Sequence, residues 1–283
     1  MDIDALNNWK FDDIEHSYTE RDTMLYALGL GFGEDPNDSK ELAYVYEDGL
    51  VAAPSMAVIL GYPGFWLKDP KTGIDWKKVL HGEQWLEVFN PLPVAGTVVG
   101  RTTIDQISDK GEGKGAVMYL SRDIINAATG ETLARVKMST FCRGDGGFGG
   151  ENLRGPVPAV LPERAPDHVC DLTTLPRQAL IYRLSGDYNP LHADPEVARS
   201  VGFDSPILHG LATYGLACRA VLKTICEYDA SCLKGLDVRF SAPVYPGETV
   251  RFEIWQDGKE VRFRASVPER DVLVLNNGAA RLV

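Results

Sequence analysis

An acid and an imidazole, the side-chain types that transfer protons, lie close together in the second half of the chain with an amide between them. Asp187, Asn189 and His192 fall within six residues, framed by Gly186 and Pro190. Glycine and proline mark turns, and Asp and Asn bond to the local backbone there, so the sequence predicts a tight polar turn. An acid and an imidazole held on one rigid turn can both face a single water molecule.

A helix start is predicted shortly after this turn. In the segment SPILHG (205–210), Ser205 is a candidate N-cap and Pro206 suits the first helical position. The largely apolar run 206–227 predicts a long, buried helix. Free N–H groups and the dipole at a helix N-terminus favour negative charge. An acid, a base and a helix N-terminus are the minimum needed to move a proton beside a developing negative charge.

The spacing of the histidines argues against metal chemistry. His192 and His209 stand apart from cysteines and carboxylates at ligand spacing, so no metal site is predicted. His209 is instead expected to bond to nearby backbone at the helix start. No GxSxG nucleophile elbow occurs, which argues against a Ser-His-Asp hydrolase.

The elements that must position these residues follow one plan twice. Helices are predicted at 18–32, capped by Thr19, and at 176–184, and strand-like runs at 84–107, 115–140, 234–245, 249–256, 259–268 and 271–283. The Gly- and Pro-rich stretch 143–168 lacks periodicity and is predicted to link two halves. Each half is expected to be an α+β layer of helices on a curved antiparallel sheet, and the two sheets could pair edge to edge.

Composition limits the partners of the chain. It has 283 residues, a net charge of −11 and a pI near 5.0, which argues against a general nucleic-acid or anionic-membrane binder. Five cysteines without a CxxC pair indicate reduced thiols. No apolar run approaches the length of a membrane span, and the N-terminus resembles no targeting peptide. A cytoplasmic location is therefore expected.

The run from Ser185 to His192, SGDYNPLH, resembles the signature of the R-specific enoyl-CoA hydratases, the MaoC-like family with the hot dog fold. The segments LHGEQ (80–84) and RFSAPVYPG (239–247) are similar to parts of its two-repeat members, such as the hydratase part of the peroxisomal multifunctional β-oxidation enzyme. This resemblance implies a double hot dog, with a long buried helix wrapped by a curved sheet in each repeat.

The resemblance also implies a division of labour between the repeats. Residues 1–142 would form a non-catalytic N-terminal repeat that helps to bind substrate, 143–168 the linker, and 169–283 the catalytic MaoC-like repeat. No counterpart of GDxNPLH occurs before residue 143.

By resemblance, the expected reaction is the reversible syn hydration of trans-2-enoyl-CoA to (3R)-3-hydroxyacyl-CoA by a homodimer, without metal or other cofactor. Asp187 and His192 would be the catalytic pair, Asn189 would orient them, and the Gly210 N–H would bind the thioester oxygen. The positions expected to contact substrate are His81, Gly82, Lys110, Tyr188 and Phe240.

Other interpretations of these residues stay open at the level of sequence. The same site would serve a hydratase or dehydratase for a branched, steroid side-chain or dicarboxylic acyl-CoA. A non-catalytic acyl-CoA-binding subunit and a hot dog thioesterase are further alternatives. His81 and Phe240 also fit strand packing, and Lys110 also fits an exposed hairpin tip.

Overall fold

The computed structural model describes all residues, 1–283, and contains one ten-stranded antiparallel sheet. The strands are Ile14–Tyr18 (β1), Val79–Val88 (β2), Gly96–Asp109 (β3), Ala116–Asn126 (β4), Thr132–Cys142 (β5), His168–Thr173 (β6), Leu233–Phe240 (β7), Thr249–Asp257 (β8), Glu260–Val267 (β9) and Val272–Leu282 (β10). The α-helices are Ile3–Asn7 (α1), Glu20–Gly29 (α2), Ser39–Leu42 (α3), Gln178–Tyr182 (α4), Pro195–Ser200 (α5) and Gly210–Thr224 (α6). None of these helices combines the length and apolar character needed to cross a bilayer.

Two five-stranded sheets join edge to edge in the order β1-β3-β4-β5-β2-β7-β10-β9-β8-β6. Strands β2 and β7 form the joint, with register from Glu83 opposite Arg239 to Glu87 opposite Gly235. The predicted pairing of the two sheets is therefore confirmed. This pairing covers one exposed edge of each sheet. Because the two strands are antiparallel, it also brings the first residues of β2 beside the last residues of β7.

The central helix α6 is buried along most of its length, as its apolar sequence predicts, but it begins later than expected. It starts at Gly210, so the prediction of Ser205 as N-cap and Pro206 as first helical residue was wrong. The Leu208 N–H donates to the Val244 carbonyl at 2.8 Å, and His209 has extended backbone angles of φ −58° and ψ 137°. The segment before Gly210 is thus held as an extended strap.

The N-terminal half has no long buried helix, which corrects the expectation of one in each repeat. The element that packs there against α6, β2 and β5 is a short buried 3₁₀-helix, Pro54–Val58. Proline sets its start, and Gly61 follows closely with a positive φ of 55°, so the chain turns away before a longer helix can form. The helix predicted at 18–32 is present as α2 and begins with the Thr19–Asp22 capping box.

The stretch between β5 and β6 forms no helix or strand, and its first part is anchored to the end of β3. The Asp109 carboxylate accepts hydrogen bonds from the N–H groups of Gly147, Gly149 and Gly150. The assignment of this stretch as a linker between two domains stays a prediction.

A buried ion pair joins α3 of the N-terminal half to α6 of the C-terminal half. Arg219 donates to Glu41 through Nε at 3.0 Å and Nη2 at 2.7 Å, and through Nη2 to Glu34 at 2.8 Å. Tyr228 donates its hydroxyl to the same Glu41 carboxylate at 3.2 Å. Arg219 and Glu41 are both fully buried, so each charge depends on the other for compensation.

Substitution Glu41→Gln should lower the free energy of unfolding by about 3–5 kcal/mol, because it leaves a buried arginine facing a largely exposed partner. Chemical denaturation measures this loss. The matched control is Asp13→Asn, which breaks the exposed pair with Arg101 and should cost less than about 1 kcal/mol. Equal losses in the two variants would contradict a structural role for the buried pair.

Candidate active site

The turn predicted around Asp187 is built by its own side chains. The Asp187 carboxylate accepts the Asn189 N–H at 3.1 Å, and the Asn189 side-chain oxygen accepts the Leu191 N–H at 3.1 Å. Pro190 then starts a one-turn 3₁₀-helix that ends at His192. Asn189 therefore fixes the turn that carries His192 instead of touching the imidazole directly.

His192 is buried, and its hydrogen bond decides its tautomer. Nδ1 lies 2.8 Å from the Ile207 carbonyl oxygen. A carbonyl can only accept, so Nδ1 carries the proton, and Nε2 of the neutral ring holds a free lone pair. Burial lowers the pKa of His192 below its usual 6.5, and this keeps the ring neutral near pH 7. A neutral imidazole with a free Nε2 is a general base.

His209 lies face to face with His192, with ring centroids 3.7 Å apart and planes 26° from parallel. Its Nε2 donates to the Asp187 backbone carbonyl at 3.1 Å, and its Nδ1 has no partner. Burial, and secondly the neighbouring His192, lower the pKa of His209 to about 4. His209 bonds to backbone as expected, but the carbonyl belongs to the Asp187 turn, 22 positions earlier in the chain, and not to the helix start. Its stacking on His192 was not foreseen.

The ligand-type atoms of Asp187, His192 and His209 lie within 4.8 Å of one another. The prediction that the two histidines are isolated from carboxylates was therefore wrong. The fold brings His209 to Asp187 and His192, although the sequence separates them. The planes of the two stacked rings are nearly parallel, so their nitrogen lone pairs point in nearly parallel planes. The ligands of one metal ion must instead converge on it, with Zn–N distances of about 2.0–2.1 Å. The cluster is better suited to holding a proton than an ion.

Gly210 offers a free backbone donor next to this cluster. It is the first residue of α6, and its N–H makes no hydrogen bond within the protein. A Cβ at Gly210 would lie 3.5 Å from the Phe240 ring, which in turn lies 4.7 Å, centroid to centroid, from the ring of His81. The structure thus brings Gly210, Phe240 and His81 together. Burial lowers the pKa of His81 to about 4.

Gly82 creates the irregularity that positions His81. The register between β2 and β5 shifts between His81 and Glu83, so Gly82 is the extra residue of a β-bulge. A Cβ at Gly82 would lie 2.8 Å from the Ser139 side-chain oxygen, so any other residue would have to displace this hydroxyl from its hydrogen bond to Glu83. Glycine avoids this clash, and the bulge lies at the start of β2, where His81 contacts Phe240.

Two residues with predicted substrate contacts lie outside this group. The Lys110 ammonium donates to the Asn152 side chain at 2.8 Å and to the Leu153 carbonyl at 3.2 Å, three strands from β2 in the sheet order. Tyr188 is 59% exposed and packs its ring under the Arg183 guanidinium. Their roles in substrate binding stay predictions.

Several buried polar atoms around the catalytic turn have no partner in the protein. They are Tyr182 Oη, Arg183 Nε, Ser185 Oγ and His209 Nδ1. Buried polar groups are almost always paired, so this concentration marks a place where water or substrate completes the hydrogen bonds. Tyr182 also packs against His209, with ring centroids 5.0 Å apart. Tyr182, Arg183 and Ser185 come just before Asp187 in the sequence. The sequence alone, however, gives no sign that these polar atoms of their side chains are buried.

Comparison with known families decides the identity of this site. The MFE-2 hydratase 2 N-terminal domain model matches residues 16–144, and the MaoC like domain model matches residues 158–277. The chain belongs to the two-repeat MaoC-like hydratase 2 family. The fold is the double hot dog that the resemblance implied.

Two relatives and one solved structure match this chain over almost their full length. It is 40% identical to the enoyl-CoA hydratase ChsH3 of Mycobacterium tuberculosis, covering 98% of this chain and 97% of that protein. It is 38% identical to the peroxisomal enoyl-CoA hydratase 2 of Arabidopsis thaliana, covering 96% and 93%. The crystal structure of a MaoC-like dehydratase from Phytophthora capsici superposes with a TM-score of 0.87 at 35% identity, covering 100% and 99%.

The hydrogen bonds of the two stacked histidines predict opposite tautomers at pH 7. His192 should carry its proton on Nδ1 and His209 on Nε2, and His209 should stay neutral until the pH falls to about 4. Nitrogen NMR of histidine-labelled protein, with each signal assigned by a single His→Gln variant, measures both. A doubly protonated His192 at pH 7 would contradict the assignment of Nε2 as a free base.

Proposed function

We propose that the chain catalyses the reversible hydration of trans-2-enoyl-CoA to (3R)-3-hydroxyacyl-CoA. The observation that carries this proposal is the free Nε2 lone pair of a neutral, buried His192 beside the Asp187 carboxylate. The printed names of full-length relatives, enoyl-CoA hydratase and enoyl-CoA hydratase 2, support the same reaction.

The reaction requires a water molecule to attack C3 of the enoyl group. One water facing both Asp187 and His192 loses a proton to this pair as its oxygen bonds to C3. The electrons of the C2–C3 double bond then move toward the thioester oxygen. The pair returns the proton to C2 on the same face, so the pair ends unchanged and the net addition is one water.

The enolate-like oxygen that forms in this step needs a stabilising donor. The free Gly210 N–H supplies it at the start of α6, where the helix dipole also favours negative charge. Phe240 and His81 enclose the same position from the β2–β7 joint. The N-terminal repeat would therefore line part of the substrate-binding site, and the C-terminal repeat would supply the catalytic residues.

The substrate is proposed to be an acyl-CoA thioester, and the protein to act as a homodimer in the cytoplasm. The dimer rests on the resemblance alone. The location is an expectation from the sequence alone, and the names of several relatives instead include the word peroxisomal.

Mixing the protein with crotonyl-CoA and trans-2-decenoyl-CoA should remove the absorbance of the enoyl thioester and form a 3R-hydroxy product. Chiral analysis of the product identifies the hand. Release of free CoA thiol instead would indicate a thioesterase. Binding of both thioesters without any loss of absorbance would indicate a non-catalytic acyl-CoA-binding protein.

Substitutions Asp187→Asn and His192→Gln should each lower kcat by about 10²–10⁴-fold, the usual contribution of general acid–base catalysis. Steady-state hydration of crotonyl-CoA measures the effect. Matched controls are Asp204→Asn and His168→Gln, which change exposed residues of the same types and should leave kcat within about twofold. A folded Asp187→Asn or His192→Gln variant with near-normal turnover would remove that residue from the mechanism.

Substitution Gly210→Pro deletes the proposed oxyanion donor at a position where proline suits the backbone. The first residue of a helix accepts proline, and His209 before it is already extended. We expect kcat to fall by about 10²–10³-fold, as for other lost oxyanion donors. Gly210→Ala keeps the N–H and adds a methyl group at ordinary contact distance from Phe240, so it should retain far more activity. Equal activity of the two variants would contradict the role of this N–H.

A further inference from the structure

The N-terminal repeat contains a buried arginine that the proposed chemistry does not use. Arg122 lies on β4 and is 5% exposed, and its side chain points to the helix side of the sheet. Its Nη2 donates to the Val58 carbonyl at 2.6 Å, and its Nε is buried without a partner. The other buried arginine, Arg219, binds two carboxylates, whereas Arg122 takes part in no ion pair.

A buried cation without a counter-charge is costly, and the protein compensates this one only in part. The Val58 carbonyl accepts one bond, and the Tyr62 ring covers the guanidinium at 5.4 Å from its centroid. Burial lowers the pKa of Arg122 to about 10, which shows that the surroundings disfavour the charge. Charged groups so buried are normally paired, so an anionic partner is missing from this set.

Arg122 is connected to the active site through a wall of packed side chains. Val58 ends the 3₁₀-helix whose Ser55 accepts the Tyr26 hydroxyl at 3.1 Å. The ring of Tyr26 lies 5.9 Å from that of Tyr182, and Tyr182 lies 5.0 Å from His209.

Tyr62 links the same arginine to the other side of the site. Burial raises the pKa of Tyr62. The charge of Arg122 opposes this rise and that of Asp187 adds to it, so the Tyr62 hydroxyl interacts electrostatically with both residues. The Tyr62 side chain is 44% exposed. The ring that covers the guanidinium therefore borders solvent, and displacing it would expose Arg122.

We propose that Arg122 binds a carboxylate at the distal end of the acyl group, so that the preferred substrates are dicarboxylic enoyl-CoA thioesters. This inference rests on the proposed hydration reaction and names its substrate class. A guanidinium suits the task because its planar fork of donors matches a carboxylate in two parallel hydrogen bonds. The unpartnered Nε and an adjacent terminal nitrogen provide such a fork.

The test compares kcat/KM for pairs of trans-2-enoyl-CoA substrates of equal length, one ending in methyl and one in carboxylate, from C6 to C12. Wild-type protein should favour the carboxylate member at one chain length by at least about tenfold, the usual strength of a charge-assisted hydrogen bond. Arg122→Met should reduce that ratio by about tenfold or more, and Arg122→Lys should reduce it less. Arg135→Met, which removes an arginine from the outer face of the neighbouring strand, should leave the ratio unchanged.

The outcomes separate this inference from the proposed function. Hydration of methyl-ended substrates with no preference for carboxylate at any length would overturn the role of Arg122 and leave the proposed reaction intact. An Arg122→Met variant that keeps the wild-type ratio would also overturn it. Failure to hydrate either member of every pair would overturn the proposed reaction itself. The wild-type ratios decide the matter even where the Met variant does not fold.

Discussion

Two backbone carbonyls control the state of the histidines at this site. The Ile207 carbonyl accepts a hydrogen bond from Nδ1–H of His192, and the Asp187 carbonyl accepts one from Nε2–H of His209. These bonds select the tautomer of each stacked ring, and burial lowers both pKa values and keeps the rings neutral. The same two bonds attach the catalytic turn to the strap before α6. The base, the carboxylate and the free Gly210 N–H therefore form one rigid unit.

Neutrality of the stack carries a cost at acidic pH. The pKa of His209 is lowered to about 4 in the folded protein, below the usual 6.5 of an unfolded histidine. Between these values the unfolded chain binds the additional proton, so the free energy of unfolding rises with pH across this window and falls as the pH drops toward 4. His192, whose pKa is also lowered, acts in the same direction. The lowered pKa values therefore reduce the free energy of unfolding in acid, and they keep His192 neutral and able to accept a proton near pH 7.

In the proposed mechanism the N-terminal repeat supports this unit without supplying its chemistry. The β2–β7 joint brings His81 and Phe240 to the position beside Gly210, and the bulge at Gly82 makes the approach possible. The short 3₁₀-helix Pro54–Val58 replaces the long helix expected there and leaves Arg122 facing Tyr62.

The local parts of this arrangement could be predicted from the sequence, and the non-local parts could not. The turn at Asp187 follows from Asx and proline chemistry within six residues, and the strand patterns gave the two paired sheets. The start of α6 was misplaced because the bond from Leu208 to Val244 outweighs the local preference of Ser205 and Pro206 for a helix start. The stacking of His192 and His209 was missed for the same reason, since residues 17 positions apart meet only through the tertiary fold.

In the proposed mechanism Asp187 and His192 share one water, so the hydroxyl group and the new proton add to the same face of the enoyl group. The most direct measurement is hydration of crotonyl-CoA in deuterium oxide, followed by determination of the configuration at both C2 and C3. The mechanism predicts a 3R hydroxyl group with the new deuterium at C2 on the same face. Deuterium on the opposite face would contradict a shared water between Asp187 and His192, and a 3S product would contradict the proposed 3R specificity.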